Sequence, residues 1–233
     1  MRISPGGRSA WQDAALELRW IAHSWFQVRA RNVTIHIDPS MLGSKGLEEL
    51  AKGVRKADIV LITHHHADHC RKEIVDLVSK KGVHVLAPEV CADKIGRGMT
   101  EMKPGDSYNY KGIKIQAVHA YNTPEGSSTV KAPKRGEGLG YLLTASGKTL
   151  YHAGDTDLIA EMASLGPVDV ALLPIGGTYT MSIREAAQSV TRIKPRVAIP
   201  MHFIDADPQG FAELVGKNAH VVILEKGKTL SLA

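Results

Sequence analysis

The sequence predicts an α+β fold in which two β-sheets pack face to face and helices cover their outer sides, giving four layers in the order αββα. Three observations support this prediction. Short β-branched runs recur along all 233 residues, helical stripes separate several of them, and the second half of the chain resembles the first in plan. Such sheets bury their apolar faces by packing on each other with helices outside. With 43% hydrophobic residues the chain can bury a large core, and we expect one domain over residues 1–233.

The first half is predicted to alternate strands with short helices. Apolar and β-branched runs predict strands at residues 16–21, 25–30, 33–38, 59–63, 83–87 and 113–118. Helices are expected at residues 47–57, 71–80 and 88–95. The second of these helices carries an apolar stripe of helical period formed by Ile74, Val75, Leu77 and Val78.

The second half is predicted to follow the same plan. Strands 141–144 and 149–152 form a hairpin around Ser146-Gly147. Further strands are expected at residues 168–173, 197–201, 221–224 and 229–232, and helices at residues 158–164, 182–192 and 211–215. Ser182 and Glu185 have the spacing of a capping box, which supports a helix start at this point.

One long irregular segment, residues 120–138, is rich in Gly, Pro and Ser. Loops of this length are usually functional or disordered. We expect either a lid that closes over a site or a solvated loop. As a lid, it would bring Lys131, Lys134 and Arg135 to an anionic substrate.

Composition restricts the function classes. The excess of 29 Lys+Arg over 24 Asp+Glu is modest, and aromatic residues make up 5% of the chain, so the composition disfavours nucleic acid as a partner. No apolar run of about 18 residues is present, and the first residues lack the apolar core of a signal peptide, so we expect no membrane partner and a cytoplasmic location. Cys70 and Cys91 are too few for a disulfide framework, and Cys70 is expected either near a metal or as a small buried side chain. A homo-oligomer is possible.

Four histidines and an aspartate are concentrated in residues 63–69, directly after the predicted strand 59–63. His64, His66, Asp68 and His69 offer neutral imidazoles and a carboxylate, which are the ligand types that borderline divalent cations prefer. Because the turn can aim two ligand pairs at neighbouring points, the arrangement suits two metal ions better than one. The alternative is a solvated, His-rich turn.

Other ligand-type side chains recur at predicted strand ends. Asp38 and His119 end strands of the first half, Asp155 lies just past a strand, and His202 ends another. Each could be a buried polar residue with a structural role. Their recurrence places them on the same rim of the sandwich as the histidine cluster, which favours a metal site.

With these residues, the chain resembles the metallo-β-lactamase superfamily. His64-x-His66-x-Asp68-His69 matches the HxHxDH signature of that superfamily, and His119, Asp155 and His202 match its remaining ligand positions. More narrowly, the chain is similar to a branch of metal-dependent hydrolases that includes L-ascorbate-6-phosphate lactonase. That closer match rests on residues 22–24, 37–39, 151–156, 173–181 and 199–202. Ala22 stands where the branch often has Gly.

The resemblance implies a role for each ligand. His64, His66 and His119 would hold one divalent cation, Asp68, His69 and His202 a second, and Asp155 would bridge both. Zinc is the first expectation and manganese the second. A hydroxide held between the two cations would attack a small ester, lactone or phosphoester. Asp68 or Asp155 would orient the nucleophile or accept its proton.

Other side chains are candidates for supporting roles. Asp38 is expected to accept the free N–H of a metal-binding histidine. His23 and His152 are expected either to act on the substrate, by contact or by protonating a leaving group, or to make structural hydrogen bonds. Gly176, Gly177, Thr178 and Tyr179 could present backbone N–H groups to an anion, or form a tight turn that needs glycine. We therefore expect a small, anionic substrate. His36, His65, His84 and His220 are left as structural or surface residues.

Two other functions remain open from the sequence. One is a phosphodiesterase or nucleic-acid-processing enzyme of the same superfamily, which the absence of a long basic run disfavours. The other is a non-enzymatic metal-binding protein with the same fold, which the complete ligand set disfavours.

Overall fold

The computed structural model describes residues 16–43, 46–96 and 98–232, and it contains two seven-stranded sheets. The strands of the first sheet are β1 (Leu16–Ala22), β2 (Trp25–Ala30), β3 (Val33–Ile37), β4 (Ala57–Leu61), β5 (Ser79–Ala87), β6 (Met99–Glu101) and β14 (Thr229–Leu232). Their order is β14-β1-β2-β3-β4-β5-β6.

The second sheet is built in the same way from the following part of the chain. Its strands are β7 (Ser107–Tyr110), β8 (Ile113–Ala120), β9 (Gly138–Ala145), β10 (Lys148–His152), β11 (Val170–Pro174), β12 (Val197–Met201) and β13 (His220–Val221). Their order is β13-β12-β11-β10-β9-β8-β7. In each half, antiparallel pairs come first and parallel pairs follow, with the change at β3 in the first sheet and β10 in the second. The predicted likeness of the two halves is therefore confirmed.

Five helices flank the sheets in the described part of the chain: α1 (Leu47–Lys52), α2 (Lys72–Val78), α3 (Ala92–Ile95), α4 (Ile183–Ile193) and α5 (Pro208–Val215). Short 3-10 turns lie at Glu89–Cys91, Ala160–Ser164 and Gly216–Asn218. None of the helices in these described segments is both long and apolar enough to cross a bilayer.

Alternation along the strands produces the layers. In β4, Ile59 and Leu61 enter the central core, which also contains side chains of β8 and β9 from the other sheet. Val60, between them, faces a second core that includes Ile74 and Val75 of α2. A third core packs the outer face of the second sheet against α4 and α5. The predicted four-layer αββα sandwich is confirmed.

Several predicted boundaries were wrong. Helix α1 ends at Lys52 instead of residue 57, because Gly53 closes it, and α2 ends at Val78, where β5 already begins. The predicted helix 158–164 is a 3-10 turn, and the predicted strand 221–224 is reduced to His220–Val221. Strands β6 and β7 were missed because they are short, largely exposed edge strands without a full apolar run.

Candidate metal centre

Asp38 organises the histidine-rich loop that follows β4. Its buried carboxylate accepts hydrogen bonds from the backbone N–H and the hydroxyl of Thr63, each at 2.7 Å. The same carboxylate lies 2.7 Å from Nδ1 of His69, at the other end of the loop. Asp38 therefore fixes both ends of the loop and leaves Nε2 of His69 directed at other ligands, as expected for the partner of a metal-binding histidine.

The loop and the ends of other strands bring ligand atoms into two adjacent clusters. We call the group His64, His66 and Asp155 the first cluster, and the group His23, Asp68, His69 and His202 the second cluster. Within each cluster the ligand atoms lie within 4.8 Å of one another. Six of the seven residues predicted as ligands thus converge, and His23 joins them.

Asp155 connects the two clusters. One carboxylate oxygen lies 3.7 Å from Nε2 of His64 and 3.0 Å from Nε2 of His202, and the other lies 3.4 Å from Nε2 of His69. A single carboxylate thus contacts ligands from both groups, as required of a bridge between two cations.

Several of these atoms are buried without a hydrogen-bond partner. Within the described segments, such orphaned side-chain atoms include Nε2 of His69, Nε2 of His202 and one carboxylate oxygen of Asp155. Buried polar atoms are normally satisfied, so three unsatisfied ligand-type atoms on adjoining residues of the two clusters call for an ion. A set of imidazoles and carboxylates fits a borderline divalent cation.

His119 is the one predicted ligand that lies outside both clusters. It stands on β8, and its Nδ1 is also buried without a hydrogen-bond partner. The structure therefore leaves this nitrogen free to bind but does not bring it within the group of His64 and His66.

Charge at the centre is concentrated on the carboxylates. Burial alone would raise the pKa of Asp155, but the imidazoles of His202 and His69 hold that pKa well below its usual range. Burial would likewise raise the pKa of Asp68, which the hydrogen bond from His23 and the charge of His69 lower. Burial would lower the pKa of His69, yet the charges of Asp155 and Asp38 raise it well above its ordinary value. Both carboxylates at the centre are thus ionised and favour positive charge beside them.

Backbone strain is also concentrated here. His23, Asp38 and His202 are three of the seven non-glycine residues with positive φ in the described segments, at 50°, 47° and 52°. Residues with side chains adopt this conformation at a cost, and they persist in it where the surrounding structure holds them. The loops that carry the centre are therefore fixed in conformations that the local sequence does not favour.

Known proteins share this sequence and fold. The sequence model of the beta-lactamase superfamily domain matches residues 17–202. A UPF0173 metal-dependent hydrolase of Pyrococcus furiosus is 35% identical over 227 residues, which cover 93% of this chain and 100% of that protein. This chain belongs to the UPF0173 family of metal-dependent hydrolases, within the beta-lactamase superfamily.

Other relatives match the hydrolase in the same way, in sequence and in fold. A UPF0173 metal-dependent hydrolase of Lysinibacillus sphaericus is 34% identical, covering 93% of this chain and 99% of that protein. The structure of Igni18, a metallo hydrolase from Ignicoccus hospitalis, matches with a TM-score of 0.78 at 32% identity and covers 94% of this chain and 99% of its own. These relatives do not test the narrower similarity to the ascorbate-6-phosphate lactonase branch, which stays a prediction.

His152 makes the structural hydrogen bonds that were one of its two predicted alternatives. Its Nδ1 accepts a hydrogen bond from the backbone N–H of Gly154 at 3.1 Å, and its Nε2 donates to the carbonyl of Ser24 at 3.0 Å. Burial lowers its pKa, so the ring stays neutral. With both nitrogens engaged by backbone, His152 fixes the turn that precedes Asp155.

His23, by contrast, faces the centre. Its Nε2 lies 3.1 Å from a carboxylate oxygen of Asp68, and its ring centroid is 3.9 Å from that of His202. This place in a ligand cluster could not be predicted from spacing, because a lone histidine just after β1 has no ligand spacing to its neighbours.

The glycines of the turn after β11 support the tight turn that was one of its two predicted alternatives. The N–H of Gly176 donates to the hydroxyl of Thr180, and the N–H of Gly177 donates to the carbonyl of Met181. Both groups are thus used within the turn. A Cβ at Gly176 would lie 2.5 Å from the carbonyl oxygen of His202, and Gly177 has φ +77°, so the glycines are required by packing and turn geometry.

The segment between β8 and β9 is tied to the body of the hydrolase by hydrogen bonds. The side-chain amide of Asn122 donates to three carbonyls, those of Val130, Ala132 and Tyr179. The carboxylate of Asp157 accepts from the backbone of Thr123 and from Ser128. These bonds account for its irregular path.

The histidines left aside in the sequence have structural or surface positions. His36 is buried between the indole N–H of Trp25 and the carbonyl of Arg55, and burial lowers its pKa to about 4. His84 contacts the hydroxyl of Tyr108, and His220 is exposed. Cys70 is buried, with the thiol of Cys91 as its hydrogen-bond partner, which favours the structural alternative.

Proposed function

We propose that this hydrolase cleaves a small ester, lactone or phosphoester with two divalent cations, zinc before manganese. The observation that carries the proposal is the position of Asp155 between the two clusters, together with the orphaned atoms of His69, His202 and Asp155 itself. Bound there, two such cations supply a water-derived nucleophile at neutral pH and polarise the group under attack.

The protein side chains would bind the cations, orient the attacking water and accept its proton. His64, His66 and Asp155 would hold one cation, and Asp68, His69 and His202 the other, with His119 as a further ligand of the first. The low pKa of Asp155 and of Asp68 keeps both carboxylates ionised, so either can orient the attacking water or accept its proton.

His23 is suited to proton transfer or to additional cation binding. It lies in hydrogen-bond contact with Asp68, and burial lowers its pKa, so that the ring is neutral near pH 7 and has a nitrogen available. A neutral imidazole beside an ionised carboxylate can accept a proton from the attacking water and then pass that proton to the leaving group.

The test compares Asp155→Ala with the control Asp169→Asn. Asp169 also follows a turn and caps a strand, accepting from the backbone N–H of Thr149, but it stands at the opposite end of β11 from the centre. Asp155→Ala is expected to reduce turnover by at least about 100-fold, because it removes a contact shared by both clusters. Turnover would be measured on esters, lactones, phosphomonoesters and phosphodiesters.

The control variant is expected to keep wild-type turnover and metal content. If Asp155→Ala hydrolyses any substrate found in this screen as fast as the wild type, Asp155 has no part in the reaction.

A further inference from the structure

A cavity of about 250 Å³ opens directly beside the second cluster. Its polar side consists of His23, Asp68 and His202, and its apolar side of Leu42, Tyr179 and Ile204. The volume lies just below the ~300–1,000 Å³ of pockets that take drug-sized ligands. The cavity therefore suits a small molecule with its reactive group at the centre and an apolar group pointing outward.

The apolar side chains at this rim are exposed without an apparent structural reason. Leu42, Tyr179 and Ile204 are 46%, 39% and 71% exposed. Single exposed apolar residues are common, but three that converge on one cavity at a candidate active site mark a binding surface. The Tyr179 ring also lies 5.6 Å from that of His66, so it connects the rim with the first cluster.

The charged groups of the cavity are acidic. Asp68 and Asp205 line it, and its lining contains no Lys or Arg among the described residues. Two cations of the 121–137 segment are used elsewhere: Lys131 donates to Gly126 and Ser128, and Arg135 pairs with Glu161 at 2.9 Å. The N–H groups of Gly176 and Gly177 are also engaged, so these two groups are not available to a substrate anion.

We propose that this cavity binds the apolar group of an electrically neutral ester or lactone, and that Leu42, Tyr179 and Ile204 determine specificity. The inference rests on the proposed hydrolase function and replaces the expectation of an anionic substrate. In the reaction, the oxygen of water bonds to the acyl carbon, the bond between that carbon and the alkoxide oxygen breaks, and one proton of water passes to the alkoxide. The acid product releases its proton at neutral pH.

The first test uses two esters of equal chain length, 4-nitrophenyl butyrate and 4-nitrophenyl hemisuccinate, which differ by a carboxylate. The wild type is expected to prefer the butyrate by about 10-fold or more in kcat/KM, because the second ester places its carboxylate among the apolar side chains of the rim, beside Asp205 and with no Lys or Arg in the described lining. Equal or faster metal-dependent hydrolysis of the hemisuccinate would overturn the inference and leave the hydrolase function standing.

Variants then locate the specificity. Ile204→Ser is expected to lower kcat/KM for the butyrate by about 10-fold, which is the range for a lost apolar contact, whereas Ile204→Lys should shift the preference toward the hemisuccinate. The control Ile223→Ser changes a residue of similar type, 40% exposed and outside the cavity, and should alter neither value. If both Ile204 variants discriminate between the two esters as the wild type does, the proposal is contradicted. The same holds if the variants convert a dimer of this chain into a monomer and the discrimination is unchanged.

Binding of uncleaved analogues separates recognition from turnover. Calorimetry on the metal-bound protein would compare butyranilide with succinanilic acid. Tighter binding of butyranilide, weakened by Ile204→Ser, is expected. If butyranilide binds no more tightly than succinanilic acid, the cavity does not select neutral ligands. If butyranilide is preferred but no ester is hydrolysed faster than by Asp155→Ala, the cavity assignment holds and the hydrolase proposal fails.

Discussion

Asp38 sets the orientation of the centre through His69. Its carboxylate contacts Nδ1 of His69 at 2.7 Å and, through Thr63, holds the start of the same loop. With Nδ1 engaged, Nε2 is the ring nitrogen directed at Asp155. We therefore propose that the affinity of the second cluster for a cation depends on Asp38, which does not bind the cation itself.

Replacing Asp38 by Asn tests this dependence. An amide keeps the shape of the side chain but weakens the hydrogen bond to His69, so metal affinity is expected to fall roughly 10- to 100-fold. Competition with a coloured chelator measures the affinity, and Asp58→Asn serves as the control, because Asp58 accepts from Thr34 and pairs with Lys80 away from the centre. An affinity equal to that of the wild type would exclude the role assigned to Asp38.

At the level of elements, the centre is assembled by the turns that follow β1, β3, β4, β10 and β12. The turn after β10 places Asp155 close to the Thr63 loop by way of Gly154, which has φ +65°. A Cβ at Gly154 would lie 2.6 Å from the carbonyl oxygen of Leu139 and 3.2 Å from the Thr63 side chain. Only glycine permits this approach of two loops from different sheets.

Gly154→Ala is therefore expected to be more destabilising than Gly147→Ala. Gly147 also has positive φ, +74°, but a Cβ there meets nothing within 4 Å. Both variants place an alanine at positive φ, which costs about 1–2 kcal/mol. Only Gly154→Ala adds a clash with backbone. Denaturant unfolding would give both free energies, and equal losses in the two variants would show that the contact with Leu139 does not matter.

The sequence revealed those features of the elements that depend on local pattern. His64, Asp155 and His202 each follow an apolar run, so their position at the ends of strands could be predicted from the sequence. The roles of His152 and Gly176 could not be predicted in this way. A histidine that is hydrogen-bonded to backbone has the same local sequence as a histidine with a functional role, and the same is true of a glycine packed on a carbonyl. Contacts between segments that are distant in the sequence determine both roles.

At the scale of the whole molecule, two similar halves face each other and place their turns on a common rim. The first half supplies His23, His64, His66, Asp68 and His69, and the second supplies Asp155 and His202. The apolar rim of the cavity arises in the same way, since Leu42 and Ile204 belong to different halves. No local pattern marks these two residues, so the cavity could be found only from the packed structure.

The number of cations per chain tests the central claim most directly. Metal-free protein would be titrated with Zn²⁺ and with Mn²⁺, and the bound ions counted by elemental analysis after removal of free metal. The two clusters joined by Asp155 predict two ions per chain in the wild type and a loss of at least one in Asp155→Ala, with Asp169→Asn unchanged. A wild-type protein that binds no more than one ion per chain at saturation would contradict the two-cation centre.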